Sequence, residues 1–188
     1  MRVYTVPNAI SLLRLLCVPV YLVLLFGREN RAAAAWLLGV LGMTDWVDGY
    51  LARLWGQTSK FGAFLDPVAD KLLVAVSLVM ILEARPGGIL AMLVAIIIGR
   101  EITISALREW MAELGQRTSV AVGWVGKLKT IFQMVAIGCM LWEIPLLGIP
   151  IYEIGFVLLF AAAALTVWSM LLYLRAAWPF MKEDHPVR

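Results

Sequence analysis

The chain has 188 residues, of which 62% are hydrophobic and only 15% charged, against about 25% charged in an ordinary soluble domain. With a mean hydropathy of +0.88, a water-soluble globule is excluded, because a domain of this size cannot hide so much apolar surface. The net charge of +3 comes without a long basic run. That argues against a nucleic-acid binder and fits basic residues gathered at one rim of a membrane protein.

Runs of about 20 apolar residues mark membrane spans. The first is predicted from Asn8 to Gly27, after a capped start at Thr5-Val6-Pro7-Asn8. Arg14 and Pro19 interrupt it and the pattern continues into another apolar helix, so it reads as a retained span rather than a cleaved signal. The second runs from Ala32 to Leu54 and carries Asp45, Asp48 and Arg53 in its last turns. Gly56 to Ser59 connects it to the third, Lys60 to Ala84, which carries Asp66 and Asp70 near its start. The fourth runs from Ile89 through Arg100-Glu101 and continues as an amphipathic helix to Leu114. After a polar connector from Gly115 to Gly126, the fifth runs from Lys127 to Leu141 and the sixth from Ile151 to Leu174. The expected fold is all-α, a single domain over residues 1–188 with six transmembrane helices. Cys17 and Cys139 lie in apolar stretches and read as packing residues.

Six spans put both termini on one side. All but three of the sixteen Lys and Arg residues then share that side, the exceptions being Arg28, Arg31 and Arg85. The positive-inside rule makes it the cytoplasmic side. Both aspartate pairs fall at that edge, and they are expected to face each other across a short loop.

Asp45 and Asp48 are spaced i,i+3, and Asp66 and Asp70 i,i+4, so each pair shares one helix face. Four carboxylates near a membrane are costly unless a cation binds them. With no His or Cys close by, the donors favour Mg²⁺ or Mn²⁺ over zinc, and Mg²⁺ so held often completes its shell with substrate phosphate. Gly49, Ala52 and Gly62 leave room for a ligand to approach the backbone. Arg53, on the Asp45 face, is placed to hold a phosphate oxygen. Pro67 removes a backbone hydrogen bond to the carbonyl of Ala63. Lys71 reads as a snorkelling or pairing residue, Glu101, Glu109 and Glu113 as partners for Arg108 and its neighbours, and the eight Trp residues as interfacial anchors.

The pattern Asp45-xx-Asp48-Gly49-xx-Ala52-Arg53, then Gly62-xxx-Asp66-xxx-Asp70, resembles in full the signature of the CDP-alcohol phosphotransferase family. Arg100 to Glu109, Val120 to Thr130, and Thr5 to Asn8 with Arg14 are similar to the bacterial branch that takes sn-glycerol 3-phosphate. The resemblance implies a multi-pass enzyme of the bacterial cytoplasmic membrane with its active site facing the cytoplasm, usually a homodimer. It would transfer the phosphatidyl group of CDP-diacylglycerol to sn-glycerol 3-phosphate and release CMP, in phosphatidylglycerol and cardiolipin biosynthesis.

The resemblance also implies roles. Asp45, Asp48, Asp66 and Asp70 would hold two divalent ions, Mg²⁺ or Mn²⁺, and Asp70 would also be the general base. Asn8, Ser11, Gly49, Ala52, Arg53, Ser59 and Gly62 would form the CDP-diacylglycerol site; the family often has Thr where this chain has Ser11. Arg100, Arg108, Lys127 and Lys129, within the acceptor-side region 100–130, would bind the glycerol 3-phosphate dianion.

Other readings stay open on residues alone. The acids could pair structurally with Arg53, Lys60 or Lys71. Within the family, the acceptor could be inositol phosphate or serine. An ion-coupled transporter would also use membrane aspartates, but it predicts mid-membrane polar groups and repeated halves, and neither is evident. An intramembrane prenyltransferase would space its acidic motifs differently.

Overall fold

The computed structural model describes residues 6–27, 31–55, 60–114, 124–142, 145 and 148–182, and side chains within 13, 16–27, 32–44, 67–114, 128–142, 145 and 148–180. The described residues form six helices: α1 (Val6–Phe26), α2 (Arg31–Trp55), α3 (Lys60–Ala84), α4 (Gly88–Glu113), α5 (Trp124–Trp142) and α6 (Ile151–Lys182). The all-α architecture of a multi-pass membrane protein is the one found. Five helices lie within three residues of the predicted spans at either end. α4 and α6 are each long and apolar enough over their described residues to cross a membrane, and α1, α2 and α5 add shorter apolar stretches.

Burial explains why these segments are helical. α1 buries Val18, Tyr21 and Leu25, and α2 buries Ala34, Leu38 and Leu41, steps of three and four that line one helix face. The opposite faces are apolar too. Leu16, Val20 and Val23 of α1, Trp36, Val40 and Met43 of α2, and Val157, Phe160 and Trp168 of α6 are all exposed. A helix apolar all round suits a lipid surround, where every backbone group must be satisfied within the helix.

The chain divides into two compact units, Met1–Pro86 with Met134–Phe156, and Gly87–Gln133 with Val157–Arg188. In the first, α1 packs against both α2 and α3. Buried Tyr21 of α1 and Ser77 of α3 share a 2.5 Å hydrogen bond, and Ser77 also donates to the Leu73 carbonyl. Trp36 meets Trp142 edge to face, with ring centroids 6.1 Å apart. The Arg85 guanidinium lies 4.0 Å over the Tyr152 ring. Gly155 lets α6 approach α5: a Cβ there would lie 2.7 Å from Met140 Cγ and 2.9 Å from the Ala136 carbonyl.

In the second unit, Ile104, Leu107 and Met111 of α4 form a buried cluster with Tyr173 and Ala177 of α6. This cluster corrects the predicted end of the sixth helix. Hydropathy stops at Leu174, but α6 continues to Lys182, because Ala177 and Phe180 pack on the amphipathic extension of α4. At about 1.5 Å per residue a 32-residue helix is about 48 Å long, more than the roughly 30 Å hydrocarbon core.

Candidate active site

The acid-bearing segments are built on continuous helix. α2 runs unbroken through Asp45 and Asp48, and α3 through Asp66, Pro67 and Asp70. The i,i+3 and i,i+4 spacings therefore place each pair on one helix face, as expected. Both helices belong to the first unit and share α1 as a packing partner. Asn8 and Ser11 lie in the first turns of α1, Gly49, Ala52 and Arg53 in the last turns of α2, and Gly62 in the first turn of α3. Asp70 is half-buried, next to buried Ala69.

The side chains of Asn8, Ser11, Asp45, Asp48, Ala52, Arg53 and Asp66 lie outside the described residues, as do Ser59 and the 56–59 connection. The expected facing of the two acid pairs falls there too. Among the described residues no three His, Cys, Asp or Glu groups gather as metal ligands, and Asp70 is the only one of the four acids whose side chain is among them. The donor set itself suits a hard divalent cation. It is four carboxylates on two regular helices, with no His or Cys between positions 45 and 71.

The second unit holds the basic residues. Arg100 is 7% exposed and Lys129 4% exposed, a depth at which a cation needs a partner. That partner is Glu101. Its Oε1 accepts from Arg100 Nη1 at 3.2 Å and from Lys129 Nζ in a short ion pair. Arg100 Nη2 also donates to Ser169 Oγ on α6, at 2.9 Å. Arg108 Nη2 donates to the Tyr173 hydroxyl at 2.7 Å, with its guanidinium carbon 5.2 Å from the Tyr173 ring centroid. The Arg100 guanidinium lies 5.9 Å from the same ring. Tyr173 thus bridges the two arginines, with its ring to both and its hydroxyl to one. Lys127 lies in the first turn of α5, with its side chain outside the described residues.

Arg100, Arg108 and Lys129 are therefore gathered by one network. The predicted local pairing of Glu101 holds with Arg100, and Glu101 also reaches across to Lys129, 28 positions on. Arg108 donates to Tyr173. Buried Arg100 and Lys129 share one carboxylate, and exposed Arg108 joins them through Tyr173, so these four side chains carry a surplus of positive charge. Such a surplus suits a phosphate dianion.

Sequence reasoning missed Gln133, Thr166, Ser169 and Tyr173. The signal was present. Lys129 and Gln133 are spaced i,i+4 on α5, and Thr166, Ser169 and Tyr173 step by three and four along α6. Polar groups recurring on one face of an apolar helix mark an interior or a site.

The sequence model of the CDP-alcohol phosphatidyltransferase family matches residues 4–168. The chain belongs to this family. The match takes in the acid pairs of α2 and α3 and Arg100, Glu101, Arg108 and Lys129, and ends just before Ser169 and Tyr173. The chain is 48% identical over 176 residues to proteins of Escherichia coli (strain K12), Shigella flexneri serotype 5b (strain 8401) and Shigella boydii serotype 4 (strain Sb227), covering 93% of this chain and 95% of each relative. Each of those relatives is named a CDP-diacylglycerol–glycerol-3-phosphate 3-phosphatidyltransferase.

Proposed function

We propose that this family member transfers the phosphatidyl group of CDP-diacylglycerol to sn-glycerol 3-phosphate, giving phosphatidylglycerophosphate and CMP. The observation that carries the reading is the near full-length identity to relatives whose name states both donor and acceptor. The surplus positive charge around Arg100 and Lys129 supports an acceptor that brings its own phosphate.

In this reading Asp45, Asp48, Asp66 and Asp70 would hold two divalent cations, Mg²⁺ or Mn²⁺, which when bound would offset charge on the phosphoryl oxygens and on the leaving CMP. Arg53 adds a fixed positive charge on the same helix. Asn8, Ser11, Gly49, Ala52, Ser59 and Gly62 make room for and orient the nucleotide head. Asp70 takes the proton of the acceptor hydroxyl as its oxygen attacks the phosphorus that carries diacylglycerol. The bond from that phosphorus to the bridging oxygen breaks, and CMP leaves with the electron pair. Arg100, Arg108, Lys127 and Lys129 hold the acceptor phosphate.

Residues 1–188 act as a single catalytic domain, in a homodimer of the bacterial cytoplasmic membrane with its site facing the cytoplasm. The distribution of Lys and Arg between the predicted loops supports that orientation.

The test uses purified protein in detergent with Mg²⁺ or Mn²⁺ and CDP-diacylglycerol. CMP should appear with sn-glycerol 3-phosphate and not with inositol phosphate or serine. Release with another alcohol alone would reject the acceptor.

A further inference from the structure

Three polar atoms of the second unit have no hydrogen-bond partner among the described residues: Arg100 Nε, Gln133 Oε1 and Thr166 Oγ1. Their residues are 7%, 4% and 0% exposed. Buried polar groups are nearly always satisfied, so each orphan calls for an explanation. Thr166 departs from four other helix hydroxyls. Thr44, Ser77, Thr103 and Ser105 each donate to the carbonyl four residues before, the usual refuge of a hydroxyl in an apolar helix. The Thr166 oxygen makes no such bond.

All three residues lie in or one helical turn from the network already described. Arg100 belongs to it, Gln133 stands one turn beyond Lys129 on α5, and Thr166 one turn before Ser169 on α6. Both outlying residues lie on the side of the 143–150 connection, since α5 runs toward it and α6 away from it. By helix register the Gln133 and Thr166 orphans each stand one turn from a residue of the cationic cluster, on the same side of it. Their chemistry is mixed. Arg100 Nε only donates, Gln133 Oε1 only accepts, and the Thr166 hydroxyl does either. A second phosphate would meet the Gln133 oxygen acceptor to acceptor. A neutral hydroxyl fits all three, because it donates once and accepts twice.

We infer that Gln133 and Thr166, with Arg100 Nε, read the non-reacting hydroxyl of the acceptor, the one that neither attacks the donor nor carries the phosphate. This rests on the reading of Arg100 and Lys129 as the acceptor-phosphate site. It makes Gln133 and Thr166 specificity-determining residues.

The test compares kcat/KM for sn-glycerol 3-phosphate with that for 3-hydroxypropyl phosphate, which lacks only the middle hydroxyl. The wild type should prefer glycerol 3-phosphate by about a hundredfold or more, because the deoxy acceptor leaves buried polar groups unpaired. Gln133→Met and Thr166→Val should each cut that ratio by about tenfold, and Thr166→Ser should retain it. Equal use of both acceptors by the wild type overturns the inference without any variant. So does an unchanged ratio in both apolar variants, the result expected if these oxygens hold a structural water. Failure of wild-type protein to release CMP with either acceptor would instead bring down the underlying reading of the site.

Discussion

Glu101 on α4 joins Arg100 and Lys129, so one carboxylate that is 24% exposed holds two buried cations side by side. Without it, Arg100 and Lys129 would repel at a depth where water screens poorly. Glu101→Ala should therefore cost on the order of 3 kcal/mol of stability, read as a fall in the thermal midpoint in detergent. Saturating glycerol 3-phosphate should restore part of the loss, because its phosphate supplies the missing negative charge. If the ligand stabilises wild type and variant equally, Glu101 and the acceptor phosphate do not share the two cations.

Tyr173 separates two roles. Tyr173→Phe keeps the ring beside Arg100 and Arg108 and removes the hydroxyl that accepts from Arg108. The KM for glycerol 3-phosphate should rise several-fold with little change in stability, the scale of one lost hydrogen bond to a charged group. Tyr173→Ala also removes a core side chain packed on Ile104, Leu107 and Met111 and should cost about 3–5 kcal/mol. Steady-state kinetics and thermal melts distinguish the two variants. An unchanged KM in Tyr173→Phe removes Arg108 from the acceptor site.

Asp70→Asn removes both a charged ligand and the proposed base while keeping the side-chain shape. Turnover should fall by at least about a hundredfold, while binding of CDP-diacylglycerol, followed by calorimetry with Mg²⁺ present, survives. Equal loss of binding and turnover would make Asp70 chiefly a ligand. Chelation with EDTA should abolish CMP release by the wild type, and added Mg²⁺ or Mn²⁺ should restore it.

Gly155 and Gly39 make a matched pair. A Cβ at Gly155 would lie 2.7–2.9 Å from Met140, Ala136 and Cys139, whereas one at Gly39 meets nothing within 4 Å. Gly155→Ala should cost about 1–3 kcal/mol through overpacking. Gly39→Ala should stabilise slightly, by about 0.5–1 kcal/mol, because alanine loses less backbone freedom in a helix. Denaturation of the two variants in the same detergent makes the comparison. A neutral Gly155→Ala would mean that α5 and α6 yield at this crossing.

Much of this protein was legible in the chain itself, for reasons rooted in solvation. A backbone in lipid must satisfy its own hydrogen bonds, so each apolar run of span length became a helix, five of the six close to their predicted bounds. Asp45, Asp48, Asp66 and Asp70 stood out because charge is rare in such runs, and their spacing alone put each pair on one helix face. What the chain could not show was partnership over distance. Hydropathy ended the sixth helix at Leu174, yet α6 runs to Lys182 because Ala177 and Phe180 find α4 there. Local spacing suggested a nearby partner for Glu101, and Arg100 is one, but only packing shows that it also holds Lys129, because a buried lysine is costly without an anion. Gln133, Thr166, Ser169 and Tyr173 show only a helical spacing in the chain. They gain meaning once packing removes them from solvent and sets Ser169 and Tyr173 against Arg100, since burial turns an ordinary polar side chain into one that must be matched by another group.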